Sequence, residues 1–459
     1  MTKTSDLPLK PARYPLSDGI GPCYPPPLAR RRLAAPVPVI PAVAVQALAE
    51  LPPDPPTPAA SSSVRGQIRR MLLAVSDEIA MSEPLWPIYQ AIIIQMPATS
   101  FVVLVQQQAR ILVAQWLALQ EPAVADRVTL VDWQQNEHGE PPLSGWVQDP
   151  FIPAVFGGEQ PPIQLLMPQN GVPAVPTQLA AANLGFAAYQ APVAFEGGNL
   201  LFGIGRYCIG LDTIDETRAL ITDGTIPQPP EGVSMDGYIN TLYHRYVDGT
   251  RAPYRIGRPE LTYPEEQWTE VEIEGQMFDE VFYLGNKAGT HQPIFHIDMF
   301  LTLLGQDEEG HPLVLLGSPI QAQNLMYGTV DTPPQALADG FNAIQTQLEG
   351  HGFVVRRNPL PLIYMDFPPE EGEDDARPQR RWFFASYNNC LVEVTETSKT
   401  VWMPTYGYGA WEEQLAPVDA ANEALFQELG FTVIRMPDCT MLACDGGALH
   451  CITNYLQRG

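Results

Sequence analysis

Two segments in the last third of the chain share one pattern. Residues Asn342 to Pro359 and residues Glu423 to Pro437 each contain a helical stretch, then a glycine, a short apolar run and a proline. The glycines, Gly352 and Gly430, follow the helical stretch where a helix C-cap needs a positive φ. The proline follows at the same offset in both segments. This pattern predicts a repeated helix–strand–strand unit, with two ordinary helix–strand connections as the alternative.

From Ser63 onward the chain alternates helical and strand-like segments, which predicts the α/β class. Apolar residues near helical spacing predict helices over Gln67 to Met81 and over Gln106 to Gln120. Four β-branched or apolar runs predict strands: Phe101 to Val105, Thr129 to Trp133, Trp382 to Val394 and Leu449 to Tyr455. The charged segment Asp366 to Arg381 predicts a solvated loop, or a loop near the mouth of a site.

Prolines are concentrated in the first 62 residues. The runs Pro25-Pro26-Pro27 and Pro52-Pro53-Asp54-Pro55-Pro56 remove backbone donors and fix φ. This region is therefore predicted to be an extended arm that wraps the body or stays mobile. We divide the chain into a proline-rich arm, residues 1–62, and a folded region, residues 63–459.

The chain is strongly acidic, because 52 acidic and 26 basic residues give a formal net charge of -26. Nucleic acid and an anionic membrane are disfavoured as partners, whereas an acidic cleft would attract cationic ligands. No apolar signal segment and no run of about 18 apolar residues is present, which predicts a cytoplasmic location. The six cysteines form no C-x-x-C pair, so neither a structural zinc site nor a disulfide scaffold is expected.

Four short segments carry residue types suited to catalysis. They are Trp146-Val147-Gln148-Asp149, Phe195-Glu196-Gly197-Gly198-Asn199-Leu200, His296-Ile297-Asp298-Met299-Phe300-Leu301 and Gly446-Gly447-Ala448-Leu449-His450-Cys451-Ile452-Thr453-Asn454. If the third segment is a strand, His296 and Asp298 share one face and could serve as a proton carrier and a cation clamp. Taken alone, the pair also fits a core histidine beside a solvated aspartate.

The other three segments are equally open when each is taken alone. Cys451 follows a Gly-Gly pair, and a thiolate is a strong nucleophile once an imidazolium lowers its pKa. A buried structural cysteine also fits that segment. Trp146 fits a half-buried anchor beside a turn, and Glu196 and Asn199 fit a simple turn.

Together and in this order, the segments resemble the peptidylarginine deiminase family of the guanidino-group modifying (pentein) superfamily. Three segments are similar to that family's W-x-Q-D, H-x-D-x-F-L and H-C-x-T-N motifs: Trp146-x-Gln148-Asp149, His296-x-Asp298-x-Phe300-Leu301 and His450-Cys451-x-Thr453-Asn454. Gly198-Asn199-Leu200 is similar to a weaker G-N-L motif, and Glu196-Gly197-Gly198-Asn199 is closer to the agmatine deiminases. The resemblance covers about residues 98 to 459. It implies a five-fold pseudosymmetric α/β propeller as the catalytic domain over residues 63–459.

The resemblance implies a hydrolase of the arginine deiminase type, acting on C–N bonds, with an arginine-containing peptide or protein as the substrate. Cys451 would attack the guanidinium carbon and form a thiouronium intermediate. His296 would protonate the departing ammonia and then activate water, while Asp149 and Asp298 would hold the guanidinium nitrogens. Glu196 would orient His296 or add negative potential. Three further residues are implied in substrate binding: Glu196, Asn199 and Trp146.

Calcium is the one cofactor that the resemblance raises, since vertebrate-type members are calcium-activated through an acidic ligand just after W-x-Q-D. Here Pro150, Phe151 and Ile152 follow that motif. None of them offers a side-chain oxygen to a hard cation, so calcium stays open by the resemblance alone, without support from these residues, and no metal ligand is named.

Three other functions stay open. The chain could act on a small guanidino compound such as arginine or agmatine, or it could be an amidinotransferase, in which an amine replaces water. It could also be a catalytically inactive scaffold that binds guanidinium groups or another protein. The joint presence of Cys451 and His296 argues against the scaffold, because binding alone requires neither a thiol nor an imidazole.

Overall fold

The computed structural model describes residues 48–133, 143–157, 162–171, 174–259, 265–284, 291–328, 335–369 and 377–459. The strands of these residues are β1 (Leu48–Glu50), β2 (Pro58–Ala60), β3 (Ile68–Val75), β4 (Ser100–Val105), β5 (Val128–Asp132), β6 (Ile152–Phe156), β7 (Ile163–Met167), β8 (Phe186–Gln190), β9 (Leu200–Phe202), β10 (Arg206–Gly210), β11 (Ala252–Ile256), β12 (Glu265–Ile273), β13 (Gln276–Leu284), β14 (Leu301–Gln306), β15 (Pro312–Ser318), β16 (Val354–Pro359), β17 (Leu362–Phe367), β18 (Gln379–Phe384), β19 (Leu391–Val394), β20 (Lys399–Thr405), β21 (Thr432–Asp438) and β22 (Asn454–Arg458).

The α-helices of the described residues are Asp77–Met81, Trp86–Gln95, Gln107–Ala118, Pro122–Ala125, Ala174–Ala181, Leu211–Thr222, Met235–Tyr246, Pro319–Tyr327, Gln335–Gly350, Glu412–Glu428 and Thr440–Cys444. Three short 3-10 helices are Gly197–Asn199, Ile297–Met299 and Gly409–Trp411. None of the helices in the described ranges is both long and apolar enough to cross a bilayer.

Five of the six sheets in the described residues contain one strand-pairing pattern. In each, a first strand pairs antiparallel with a second, and the second pairs parallel with a third after a helical crossover. A parallel pair needs such a crossover, because its strands cannot be joined by a tight turn. The five units, each written as first, second and third strand, are β6-β7-β8, β9-β10-β11, β14-β15-β16, β19-β20-β21 and β22-β3-β4.

The repeat predicted from the sequence is part of this pattern. The helices Gln335–Gly350 and Glu412–Glu428 are crossovers that lead into β16 and β21. Gly352 and Gly430 both have a φ of 82°, as predicted for glycines that end a helix. The α/β class is therefore confirmed.

Three predicted elements are wrong. Gln67 to Met81 is strand β3 followed by the short helix Asp77–Met81, because an apolar run buried on both faces of a sheet has no period that separates it from a helix. Trp382 to Val394 is the end of β18, a turn, and then β19. Leu449 to Tyr455 is mostly a turn, and strand β22 begins at Asn454. The predictions for Phe101 to Val105, Thr129 to Trp133 and Gln106 to Gln120 are confirmed by β4, β5 and the helix Gln107–Ala118.

The proline-rich arm enters the described residues at its end. β1 pairs with β8, and β2 pairs with β6, so this part of the arm forms two edge strands of the sheet β1-β8-β7-β6-β2. Residues 1–47 lie outside the described residues. Of the charged segment Asp366 to Arg381, residues 370–376 also lie outside them, and its two ends belong to β17 and β18.

The two ends of the folded region are joined by Arg458. Its guanidinium donates hydrogen bonds to the backbone carbonyls of Ser63, Val64, Gly66 and Val392, at 2.7 to 3.1 Å. Since β22 also pairs with β3, the last described strand completes the unit that the first large strand begins.

We expect Arg458→Ala to lower the free energy of unfolding by about 2–4 kcal/mol, because four carbonyls lose a charged donor. A urea unfolding curve measures this change. Arg356 is the matched control: it is 45% exposed and pairs with Glu428 at 2.6 Å, so Arg356→Ala should cost under about 1 kcal/mol. Equal losses in the two variants would contradict the stabilising role of Arg458.

Candidate active site

Five turns, one from each unit, form the site. Each turn directly precedes the first strand of its unit: residues 146–151 precede β6, residues 196–199 precede β9, residues 295–300 precede β14, residues 385–390 precede β19, and residues 446–453 precede β22. Hydrogen bonds join each turn to the next in a closed ring: Gly197 N to Asp149 O at 3.3 Å, Asn199 Nδ2 to Phe295 O at 3.2 Å, Ser386 Oγ to Met299 O at 2.6 Å, His450 N to Asn389 O at 3.2 Å, and Gln148 N to Cys451 O at 3.3 Å.

Cys451 and Asp298 are neighbours inside this ring. The Cys451 Sγ lies 3.5 Å from the Asp298 Oδ2, and the same oxygen lies 2.8 Å from the His450 Nδ1. The two residues are 3% and 1% exposed. The Asp298 Oδ1 is buried and has no hydrogen-bond partner among the described residues. A buried carboxylate oxygen without a donor is costly, so this atom is an open position for an N–H group of a ligand.

His296 faces two carboxylates. Its Nε2 lies 2.5 Å from the Glu196 Oε2, and its Nδ1 lies 3.8 Å from the Asp149 Oδ1. The first distance is that of a hydrogen bond and the second is too long for one, so Asp149 faces the ring as a nearby negative charge. The side chain of His296 is 2% exposed, that of Asp149 is 15% exposed and that of Glu196 is 35% exposed, so the site opens to solvent on the carboxylate side.

The segment of His296 and Asp298 is not a strand, so the shared face that a strand would give the two side chains does not form. His296 has extended backbone angles, but Ile297–Met299 is a 3-10 helix. The turn sends the two side chains to different partners: His296 to Glu196 and Asp149, and Asp298 to the nucleophile segment. Both residues still lie in the same ring of turns.

The Cys451 thiol lies in surroundings that disfavour its anion. Burial raises its pKa well above the ordinary value, and the negative charges of Asp298 and Asp149 raise it further. Hydrogen bonds from the Ala448 backbone and from the Asn389 side chain act in the opposite direction. A cation bound between the two carboxylates would remove much of the repulsion.

Asn199 holds the turn that carries His296. Its Nδ2 donates to the Asp212 Oδ2 at 2.8 Å and to the Phe295 carbonyl, and its Oδ1 accepts from the Ile297 N–H at 3.0 Å. The whole amide is therefore used on both sides of His296. We place Asn199 as a positioning residue, in place of the substrate-binding role that the resemblance implies.

Trp146 lies beside the nucleophile across a glycine. A Cβ atom added at Gly447 would lie 2.4 Å from the Trp146 Cζ3 and 2.9 Å from the Cys451 Cβ. The indole ring and the cysteine thus pack against the same glycine, which no larger residue could replace without moving one of them. This is a physical reason for the Gly-Gly pair before Cys451.

A substitution at Gly198 tests whether turnover depends on the position of the His296 imidazole. A Cβ atom added there would lie 2.4 Å from the His296 Nδ1. We expect Gly198→Ala to displace His296 and to lower the turnover of a guanidino substrate roughly a hundredfold. Gly350→Ala is the control, because a Cβ atom there meets nothing within 4 Å. Full turnover by Gly198→Ala, measured as ammonia release, would show that His296 is not needed where it lies.

Two residues of the ring were not singled out as site residues from the sequence. His450 is part of the H-C-x-T-N motif, and it holds Asp298 from the position next to the nucleophile. Asn389, in the turn before β19, donates to the Cys451 Sγ at 3.0 Å. A search for a fifth repeat of the turn-and-strand pattern would have pointed to the segment of Asn389.

The residues after Asp149 do not fit calcium. Phe151 and Ile152 are buried, and the Phe151 carbonyl accepts a hydrogen bond from Asn454 at 3.1 Å. One group with metal-ligand spacing occurs among the described residues, at the far end of β14 and mostly exposed: Asp307, Glu309 and His311.

Several solved structures resemble this one. A protein assigned as an agmatine deiminase superposes with a TM-score of 0.53 and 14% identity, over 88% of this chain and 98% of that chain. The agmatine deiminases of Enterococcus faecalis and C. jejuni give TM-scores of 0.49 at 16% and 13% identity, with the same coverage. The sequence matches no protein-family model and no curated protein. The chain therefore shares its fold with the protein assigned as an agmatine deiminase, as the resemblance of the four sequence segments implies.

Proposed function

We propose that the protein hydrolyses a C–N bond of the guanidino group in a small cationic compound, releasing ammonia and leaving a ureido group. The observation that carries the proposal is the pairing of Cys451 and Asp298. One oxygen of Asp298 lies 3.5 Å from the thiol, and the other is buried without a donor. A guanidinium is flat, positively charged and rich in N–H groups, and it can supply that donor while its carbon faces the sulfur.

In the first half of the reaction, the Cys451 thiolate adds its electron pair to the guanidinium carbon and forms a carbon–sulfur bond. Asp298 and Asp149 accept hydrogen bonds from the nitrogens. His296 gives a proton to one nitrogen as its bond to carbon breaks, and ammonia leaves. The product of this half is a thiouronium group on Cys451.

In the second half, water replaces the sulfur. His296, now neutral, takes a proton from the water, whose oxygen adds to the thiouronium carbon. The carbon–sulfur bond then breaks, and its electrons return to Cys451 as thiolate. The ureido group is left protonated at oxygen and loses this proton, which the released ammonia takes up. The sum consumes one water per guanidinium and gives one ureido product and one ammonium ion. Glu196, at 2.5 Å from His296, keeps the ring oriented in both halves.

The charges of the site favour a cation as the substrate. The carboxylates of Asp149 and Asp298 raise the pKa of the thiol, after burial, while the site is empty. A bound guanidinium carries one positive charge and offsets part of the negative charge of the two carboxylates, so thiolate formation becomes easier when the substrate is present. The site therefore favours reaction with a cation over reaction with neutral electrophiles.

A small substrate has better support than a peptide. Cys451, His296 and Asp298 are each at most 3% exposed, so the reacting groups lie below the surface, where a small cation enters with less rearrangement than a peptide chain. The structure with the highest TM-score reported above, 0.53, is assigned as an agmatine deiminase. A peptidyl arginine is the second candidate, favoured by the W-x-Q-D and H-C-x-T-N motifs.

The experiment compares agmatine, free arginine and an arginine-containing peptide, with ureido product and ammonia both measured. We expect equal amounts of the two products from a small compound. Product from the peptide alone would move the substrate to peptidyl arginine, and amidino transfer to an added amine without ammonia would identify a transferase. No product from any of them, under conditions where the protein is folded, would contradict the proposal.

The five-fold arrangement of the domain over residues 63–459 is likewise a proposal. It is supported by five units with one strand-pairing pattern and by the closed ring of hydrogen bonds between their turns. Cytoplasmic location also stays a proposal, as does the absence of nucleic-acid and membrane partners, which the net charge of -26 supports.

A further inference from the structure

We infer that Asn389 is a catalytic residue, which stabilises the Cys451 sulfur as an anion by donating a hydrogen bond to it. The inference rests on the proposed function, in which that sulfur is the nucleophile. Asn389 lies in residues 385–390, the one turn of the ring in which the sequence motifs provide no residue. The other four turns carry Asp149, Glu196, the His296–Asp298 pair and the nucleophile.

The orientation of the Asn389 amide is fixed by the backbone of the nucleophile segment. Its Oδ1 accepts from the Ala448 N–H at 2.9 Å and from the Cys451 N–H at 3.1 Å. An exchange of the amide oxygen and nitrogen would set donors against donors, so it is ruled out. The Nδ2 must therefore face the Cys451 Sγ, which lies at 3.0 Å.

The turn itself holds Asn389 in place. The Asn389 N–H donates to the Ser386 Oγ at 3.1 Å, and the hydroxyl of Ser386 donates to the Met299 carbonyl at 2.6 Å. The Asn389 carbonyl accepts from the His450 N–H. These bonds tie the residue to the turn of Asp298 on one side and to the nucleophile on the other, so its donor is placed before the sulfur becomes charged.

The sulfur needs a donor of this kind. Its nearest charged neighbour is the Asp298 Oδ2 at 3.5 Å, an acceptor that repels a thiolate. Asn389 is 0% exposed, so its hydrogen bond acts where water does not compete. An amide N–H also stays a donor at every pH at which the protein is folded, whereas the proton of His296 is used in the reaction.

The same donor acts twice in the proposed cycle. It stabilises the thiolate before the carbon–sulfur bond forms, and it donates to the thiolate again when water releases the ureido product. Asn389 transfers no proton in either step. Its loss should therefore slow both steps and should raise the pH at which Cys451 becomes reactive.

The test follows the reactivity of Cys451 without a guanidino substrate. Wild-type protein, Asn389→Ala and Asn389→Asp are treated with iodoacetamide over a pH series, and modification of Cys451 is followed by peptide mass spectrometry. We expect the reactivity profile of both variants to move upward by about one to two pH units, a roughly 10- to 100-fold slower reaction at a fixed pH below the transition.

A purely structural role predicts a different sign. A loosened segment would admit water, and since burial raises the pKa of this thiol, its reactivity profile would move to lower pH. Asn388→Ala is the matched control, because the neighbouring amide bonds Asn358 at 3.1 Å and has no contact with the nucleophile segment among its hydrogen bonds. Its profile should match that of the wild type.

Asn389→Asp keeps an oxygen for the two backbone donors and adds a negative charge beside the sulfur, so its profile should move upward at least as far as that of Asn389→Ala. A folded Asn389 variant with an unchanged or lowered profile would overturn the inference. Because alkylation requires no substrate, the shift can be seen even if no guanidino compound is hydrolysed. A failure of the proposed function and a failure of this inference are therefore separate results.

Discussion

Cys451→Ser is expected to lose hydrolysis of the guanidino substrate by roughly four orders of magnitude or more, while the fold is retained. A serine hydroxyl is a far weaker nucleophile than a thiolate, and the described partners of the Cys451 Sγ, the Asn389 amide and an Asp298 oxygen, include no imidazole to take its proton. The Cys451 side chain is 3% exposed and packs beside Trp146 at Gly447, so an oxygen in place of sulfur fits the same space.

Turnover of wild type and variant is compared by ammonia release at saturating substrate, and unfolding curves check the fold. Cys444→Ser is the matched control, because Cys444 is partly exposed and lies just before the nucleophile segment. It should keep full activity. Substantial turnover by Cys451→Ser would assign the nucleophile to another residue and would remove the basis of the proposed mechanism.

The sequence predicts those parts of the site in which several chemically distinctive residues lie close together along the chain. His296 and Asp298, or His450 and Cys451, form short patterns that can be matched without any structure. Gly352 and Gly430 made the repeat visible for a similar reason, since a helix that ends in a left-handed residue favours glycine. The same spacing could not show that Ile297–Met299 is a 3-10 helix.

Other features depend on contacts between distant residues. Met71 to Val75 has the composition of a buried helix as much as that of a central strand, and only its pairing with β4 and β22 decides between them. Asn389 acts on a sulfur 62 residues away, and a single asparagine has no sequence signature. Its role becomes visible only when the five turns are seen to meet.

Asp298→Asn is expected to change two measurements in opposite directions. Hydrolysis of the guanidino substrate should fall by roughly two to four orders of magnitude, because the cation loses a buried carboxylate partner. Alkylation of Cys451 by iodoacetamide at neutral pH should become faster. The Asp298 charge raises the pKa of the thiol, so its removal lowers that pKa and increases the thiolate fraction below it.

Slower hydrolysis together with faster alkylation distinguishes an electrostatic effect from damage to the fold. A disordered site would also lose turnover, but the pH at which Cys451 becomes reactive would not fall by a defined amount. The amide of the variant can still accept from the His450 Nδ1, which lies 2.8 Å from the present carboxylate, so the segment should stay in place. Asp438→Asn is the control: its carboxylate accepts from the Thr440 N–H at 2.9 Å, and the exchange should leave both measurements unchanged. Slower alkylation by Asp298→Asn, together with slower turnover, would mean that the carboxylate stabilises the thiolate. The cation-dependent activation of Cys451 would then be wrong.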